Sequence, residues 1–170
     1  MSLYETAKFK VLKKFNNKIE LREYPALYMA TTVTNTDNRL SGGFNNVFRY
    51  ISGYNEENQK ISMTTPVVSL VENGKLTTQF LVPQKFGSTP PKPKGNLVTI
   101  ETMDEGYYVV IQFSGSWSGD HFSKMDTRLL KFIEEEGYII ESKRLILRYN
   151  PPFVPGFLRK NEIMYKVQKQ

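Results

Sequence analysis

Two stretches of the chain carry the three- and four-residue spacing of an amphipathic helix, and each is set among alternating, β-branched segments. In the first, Leu40, Phe44, Val47, Phe48 and Ile51 recur on one face. Ser41 is placed to cap its start, and Gly53 to end it in a left-handed conformation. Gly42 and Gly43 weaken the first turn, by up to about 1 kcal/mol each relative to alanine, and permit a close approach to the backbone. In the second stretch Phe122, Met125, Leu129, Phe132 and Ile133 share a face, Ser118 or Asp120 caps the start and Gly137 marks the end. A helix that is apolar on one side needs a sheet or another helix to cover it. Flanked by strand patterns, two such helices predict an α+β fold.

The strand patterns come in two similar sets. Residues 8–15, 18–24 and 26–34 alternate or are β-branched and aromatic, which predicts an antiparallel meander with Phe9, Val11 and Leu12 turned inward. Residues 67–73 and 75–83 flank Asn73-Gly74, a strong two-residue hairpin signal. The proline-dense "PQKFGSTPPKPKGN" is a semi-rigid loop, with "PPKPKG" also readable as a polyproline II docking segment. Residues 97–103 and 107–117 are expected to pair across "DEG", and 139–150 and 162–169 to supply two more strands. Each half is roughly ββαββ, about 8–83 and 97–168, within one domain spanning 1–170. Neither half alone has enough sheet to bury its helix. A curved antiparallel sheet or distorted β-barrel carrying both helices is the expected product, with a ligand groove between helix and sheet.

Composition narrows the chemistry. Zero cysteines exclude disulfides, thiolate metal sites, cysteine nucleophiles and covalent c-type heme attachment. No window approaches the ~20 apolar residues of a membrane-spanning helix, and "MSLYETAKFKVLKKF" has no apolar signal-peptide centre, so a soluble, cytoplasmic protein is expected. The net charge of +6 suits an acidic partner or a solubilising surface. Its basic residues are scattered and no nucleic-acid motif is present, so no nucleic-acid partner is expected.

The segment "KISMTTPV" moves from a polar loop into an apolar strand. Ile61, Met63 and Thr65 should face one way and Lys60, Ser62 and Thr64 the other, and Pro66, without an N–H, places the strand entry at an edge or a bulge. Together with "IELREYPALYMATT", "FRYISGYNEENQ", "PPKPKGNLVTIETMDEGYYVVIQFSGSWS" and "YNPPFVPGFLRKNEIMYKV", this segment makes the chain resemble the SOUL heme-binding protein family over nearly its whole length. The resemblance implies two pseudo-repeats in a distorted antiparallel barrel with two helices, similar to the ligand-sensing (effector-binding) domains of some bacterial transcription regulators.

It also implies non-enzymatic, reversible, non-covalent binding of heme or a related tetrapyrrole, as carrier, buffer or sensor. Some members of the family use a histidine just before the tyrosine of "R-x-Y" as a proposed axial ligand. This chain has Glu23 there. Other members hold the macrocycle on an apolar surface beside the first helix without a strong axial bond. The matching positions here are Phe44, Val47, Phe48 and Arg49, with Met63 nearby and Arg49 placed for a propionate. Taken alone, Phe44 and Phe48 at i, i+4 read first as a core stripe, and a pocket wall can be part of a core. His121, the single histidine, reads as a solvated first-turn residue rather than an iron ligand, and Met63, Met103, Met125 and Met164 read as core. Tyr24 and Tyr28 are weaker phenolate candidates. Glu162 is expected to bond Arg159 or a turn backbone. Two other readings compete: a sensing or interaction domain for another small amphipathic molecule, without heme, and an enzyme built on Glu162, for which no partner base is visible.

Overall fold

The computed structural model describes residues 4–36, 43–151 and 153–168. Its elements are β1 (Glu5–Thr6), β2 (Lys10–Lys14), β3 (Ile19–Tyr24), β4 (Leu27–Asn35), α1 (Phe44–Ile51), β5 (Thr64–Thr65), β6 (Val67–Glu72), β7 (Lys75–Leu81), β8 (Thr99–Met103), β9 (Gly106–Ser114), α2 (Gly119–Glu136), β10 (Leu145–Arg148) and β11 (Lys160–Val167). Turn chemistry sets several of these boundaries. Asn73 and Gly74 both take positive φ, 52° and 72°, as the tight β6–β7 hairpin requires. Ser118 caps α2 by accepting from the His121 N–H, and Gly137 ends it at φ 78°.

The chain forms two compact units, Met1–Ala7 with Ala26–Asp104 and Lys8–Pro25 with Glu105–Gln170. The first holds the antiparallel order β6-β7-β4-β8, the short parallel pair β1-β5, and α1. Val47, Tyr50 and Ile51 of α1 are buried in one cluster with Ala30, Ile61, Phe80, Val82 and Val98. The second unit holds the antiparallel order β2-β3-β9-β11-β10, with α2 packed on β9 and β11 through a buried face of Phe122, Met125, Leu129 and Ile133. The fold is α+β, two helices on antiparallel sheet. In each unit a strand, a helix and two further strands recur in the same pairing: β7 lies between β4 and β6, and β11 lies between β9 and β10.

Several expectations are corrected. The first three strands are no meander. β2 and β3 pair with each other, but β3 then pairs with β9, while β4 pairs with β7 and β8. The leading strands of the two halves are thus exchanged: β3 joins β9 and β8 joins β4. The expected pairing of 97–103 with 107–117 is replaced in the same way. Alternation fixes which side of a strand is apolar, but not which strand lies beside it. β2 is exposed along its whole length, with Val11 and Leu12 turned to solvent, because it is an edge strand with a register shift between Val11 and Lys13. Its three lysines suit an unpaired edge.

The "KISMTTPV" alternation also slips. Residues 61–63 are irregular, and Thr64, expected outward, is buried with its hydroxyl donating to the Leu81 carbonyl at 2.5 Å. Residues 139–150 supply only the short β10 and an isolated bridge from Ile140 to Val167. The first helix starts at Phe44 with Gly43 in its cap position, not Ser41. Leu40, Ser41 and Gly42 lie outside the described residues, as does Lys169.

Candidate functional site

α1 spans about two turns, so residues four apart line up on one face, while Val47, Tyr50 and Ile51 form its buried face. Val47 is completely buried. Phe44 and Phe48 are 41% and 47% exposed, so they are not the core stripe that spacing alone allows. Their rings stack at 5.9 Å between centroids and 16° between planes, and the Phe44 ring meets Phe80 edge-on at 5.4 Å. The result is a step of two near-parallel rings seated on the buried Phe80. The Tyr50 hydroxyl braces α1 by donating to the Pro91 carbonyl at 2.6 Å, and burial pushes its pKa up to about 12.

Gly43 permits this placement. Its φ is 85°, and a Cβ there would sit 2.7 Å from Cγ2 of Thr32 in β4. The close approach allowed by a small residue is therefore filled by the protein itself.

The other end of α1 presents positive charge. The helix closes with the Gly53 N–H donating to the Tyr50 carbonyl and the Tyr54 N–H to the Arg49 carbonyl, the paired bonds of a Schellman ending. That ending brings Tyr54 back beside Arg49, whose guanidinium lies 4.4 Å from the ring centroid. Lys94, from the proline-rich loop, approaches the same ring at 6.0 Å, with its Nζ donating to Asn58 at 3.0 Å. Two exposed cations thus flank one half-exposed tyrosine. Sequence reasoning identified Arg49 and missed Tyr54 and Lys94. The signal was the "PPKPKG" segment, read there only as part of a semi-rigid loop or as a docking segment. Met63 is half-buried against the same core cluster as Val47. Of the five expected contact residues, Phe44, Phe48 and Arg49 reach the surface, and Val47 and Met63 support them from below.

The remaining candidates lie in the second unit or in the core. Glu162 is completely buried and bonds neither Arg159 nor a turn: Arg22 Nη1 donates to it at 3.0 Å, Gln112 Nε2 at 3.0 Å and the Tyr149 hydroxyl at 2.5 Å. Arg22 is completely buried too, its guanidinium 3.9 Å from the Phe9 ring centroid and bonded to Glu20 and Tyr24. Burial works against its charge, but the bond to and charge of Glu162 outweigh this and raise its pKa above the ordinary value. Met103, Met125 and Met164 are buried in the core. His121 is not a free solvated residue: Nε2 is 2.8 Å from the Ser114 carbonyl, the ring meets Phe113 edge-on, and it fills the space over Gly115. Among the described residues no group of three or more His, Asp or Glu is placed to hold a metal ion.

Glu23 lies on a cleft of about 560 Å³ in the second unit, shared with Lys8, Phe9, Tyr24, Glu105 and Tyr107. None of the cleft's lining belongs to α1.

A family model for the SOUL heme-binding protein matches residues 4–166. The chain belongs to the SOUL heme-binding protein family. This SOUL chain is 31% identical over 161 residues to Heme-binding protein 2 of Mus musculus and 30% identical over 161 residues to Heme-binding protein 2 of Homo sapiens, in each case across 88% of this chain and 78% of the relative. Among solved structures, the EcmrR C-terminal domain superposes on the SOUL chain with a TM-score of 0.71 at 12% identity, covering 92% of this chain and 100% of that one. At that identity the likeness speaks for the fold alone. No helix among the described residues is long and apolar enough to cross a membrane.

Proposed function

We propose that this protein binds heme or a related tetrapyrrole reversibly and non-covalently on the Phe44/Phe48 face of α1, as a cytoplasmic carrier or buffer rather than as an enzyme. The observation that carries the reading is the half-exposed, near-parallel Phe44–Phe48 step beside the Arg49–Tyr54–Lys94 group, in a chain of a heme-binding family. A flat apolar macrocycle gains by covering two exposed aromatic rings, at roughly 25 cal/mol per Å² of apolar surface removed from water. Its carboxylates would meet Arg49 and Lys94, exposed cations worth about 0–1 kcal/mol each, so most of the affinity comes from the ring. No histidine lies on this face, and the reading needs no axial protein ligand. Residues of this chain supply an apolar platform and two positive charges; the redox and ligand chemistry would belong to the bound group.

Titration with hemin tests the reading. A saturable one-to-one Soret change that is weakened by Phe48→Asp and unaffected by His121→Ala supports it. Diffuse, non-saturating spectra support the second reading, a domain for another small amphipathic molecule. That reading is favoured by one feature, the cleft at Glu23 with lysines, glutamates and aromatic rings in its lining. Glu162 offers little to an enzyme, because its carboxylate is sealed by Arg22, Gln112 and Tyr149.

A further inference from the structure

The three most exposed large apolar side chains among the described residues share one loop, between β10 and β11: Phe153 at 85%, Phe157 at 76% and Leu158 at 61%. This is not the exposure of a slack segment. The Val154 N–H donates to the Pro151 carbonyl at 3.1 Å, the Leu158 N–H to the Pro155 carbonyl at 2.9 Å and the Arg159 N–H to the Gly156 carbonyl at 3.0 Å. The loop is also tied to its surroundings. Gly115 N–H donates to the Gly156 carbonyl at 3.0 Å, Lys160 N–H to the Asn150 side chain at 2.6 Å, and Arg159 Nε to the Val154 carbonyl at 2.8 Å. The Arg159 guanidinium lies 4.1 Å from the ring centroid of Trp117. The described backbone on either side is thus braced while the apolar side chains stand in water.

A side chain that is 85% exposed touches almost nothing, so it projects and lines no groove. A protein partner would have to offer a matching pocket within an interface of roughly 800 Å² per side. A bilayer accepts any projecting aromatic tip at its boundary. Charge points the same way. From Tyr149 to Asn161 the sequence has Arg159 and Lys160 and no aspartate or glutamate, and Lys160 is exposed. We propose that this loop docks the protein peripherally on an anionic phospholipid surface, with Phe153, Phe157 and Leu158 entering the headgroup boundary and Lys160 meeting the lipid phosphates and carboxylates. The braced backbone leaves little conformational entropy to lose on docking.

Co-sedimentation of the full chain with phosphatidylcholine–phosphatidylserine vesicles, against phosphatidylcholine alone, tests this. The anionic vesicles should bind more protein, and salt should weaken the binding. Phe153→Ser/Phe157→Ser should reduce partitioning at least about tenfold, and Lys160→Glu about fivefold, on anionic vesicles only. Trp117, the single tryptophan, should be quenched by lipids brominated near the headgroup. Unchanged circular dichroism and an unchanged hemin titration of the double variant keep the result separate from folding and from the α1 site. Wild-type protein that ignores both vesicles, or a double variant that binds like wild type, would overturn the proposal. A wild-type dimer dissolved by the double substitution would overturn it in favour of a second copy.

Discussion

Arg22 and Glu162 lie 140 residues apart in the sequence and meet with both side chains at zero exposure, Nη1 on Oε1 at 3.0 Å and Nη2 on Oε2. The fork-to-fork geometry satisfies both carboxylate oxygens, and Gln112 and Tyr149 take up the remaining acceptor positions. β3 and β11 both pair with β9, so the pair locks together strands that the chain supplies from its two ends.

Removing one partner leaves the other charge buried without compensation. Glu162→Ala or Arg22→Ala should therefore destabilise the protein by about 3–5 kcal/mol in urea unfolding. Arg22→Met/Glu162→Met, which removes both charges and keeps much of the volume, should lose clearly less than the sum of the two alanine variants. Additive losses would mean that the charges do not act as a pair.

Alkaline stability should be limited by tyrosines. Burial raises the pKa of Tyr24, Tyr149 and Tyr165 above the ordinary value, and that of Tyr50 to about 12. For each of them the folded pKa exceeds the unfolded value near 10. The native state therefore keeps protons that the unfolded state loses, and stability falls as pH rises above about 10. Arg148 acts in the opposite sense, since burial lowers its pKa to about 10, but it is one group against four. Tyrosinate absorbance should rise in two steps, exposed tyrosines first and the buried ones together with unfolding. A single smooth titration with the protein still folded would contradict this.

Gly43→Ala introduces a side chain at φ 85° with its Cβ 2.7 Å from Thr32 Cγ2. It should destabilise by about 1–3 kcal/mol and disturb the start of α1. Adding Thr32→Ser removes the contacting methyl but not the backbone strain, so thermal unfolding should show partial recovery only.

At the proposed tetrapyrrole face, Phe48→Asp should weaken hemin about tenfold or more by breaking the aromatic step. Arg49→Glu/Lys94→Glu should weaken it by only a few-fold, and less as salt is added. His121→Ala removes a bond to the Ser114 carbonyl, and should lower thermal stability while leaving the Soret titration unchanged. Insensitivity to Phe48→Asp in an otherwise saturable titration would move the site elsewhere.

Local chemistry was legible before any coordinates. The Asn73-Gly74 hairpin, the face of α2, its Gly137 ending, its cap at Ser118 (one of two candidates, with Asp120) and the left-handed Gly53 after α1 each depend on residues a few positions apart, and each was read from the sequence. So was the alternation of strands and helices that marks an α+β chain. Partner choice was not legible. The pairing of β3 with β9, the exposure of β2, the slip that buries Thr64 and the sealing of Glu162 by Arg22 all join positions distant in the chain. The same holds at the α1 face, where spacing named Phe44 and Phe48 but could not tell a core stripe from an exposed step. The placement of Lys94 beside Tyr54 came from a loop whose path no local pattern encodes. Periodicity reports which side of an element is apolar. What covers that side, or leaves it open, is decided by the packing of elements that meet only once the chain has folded.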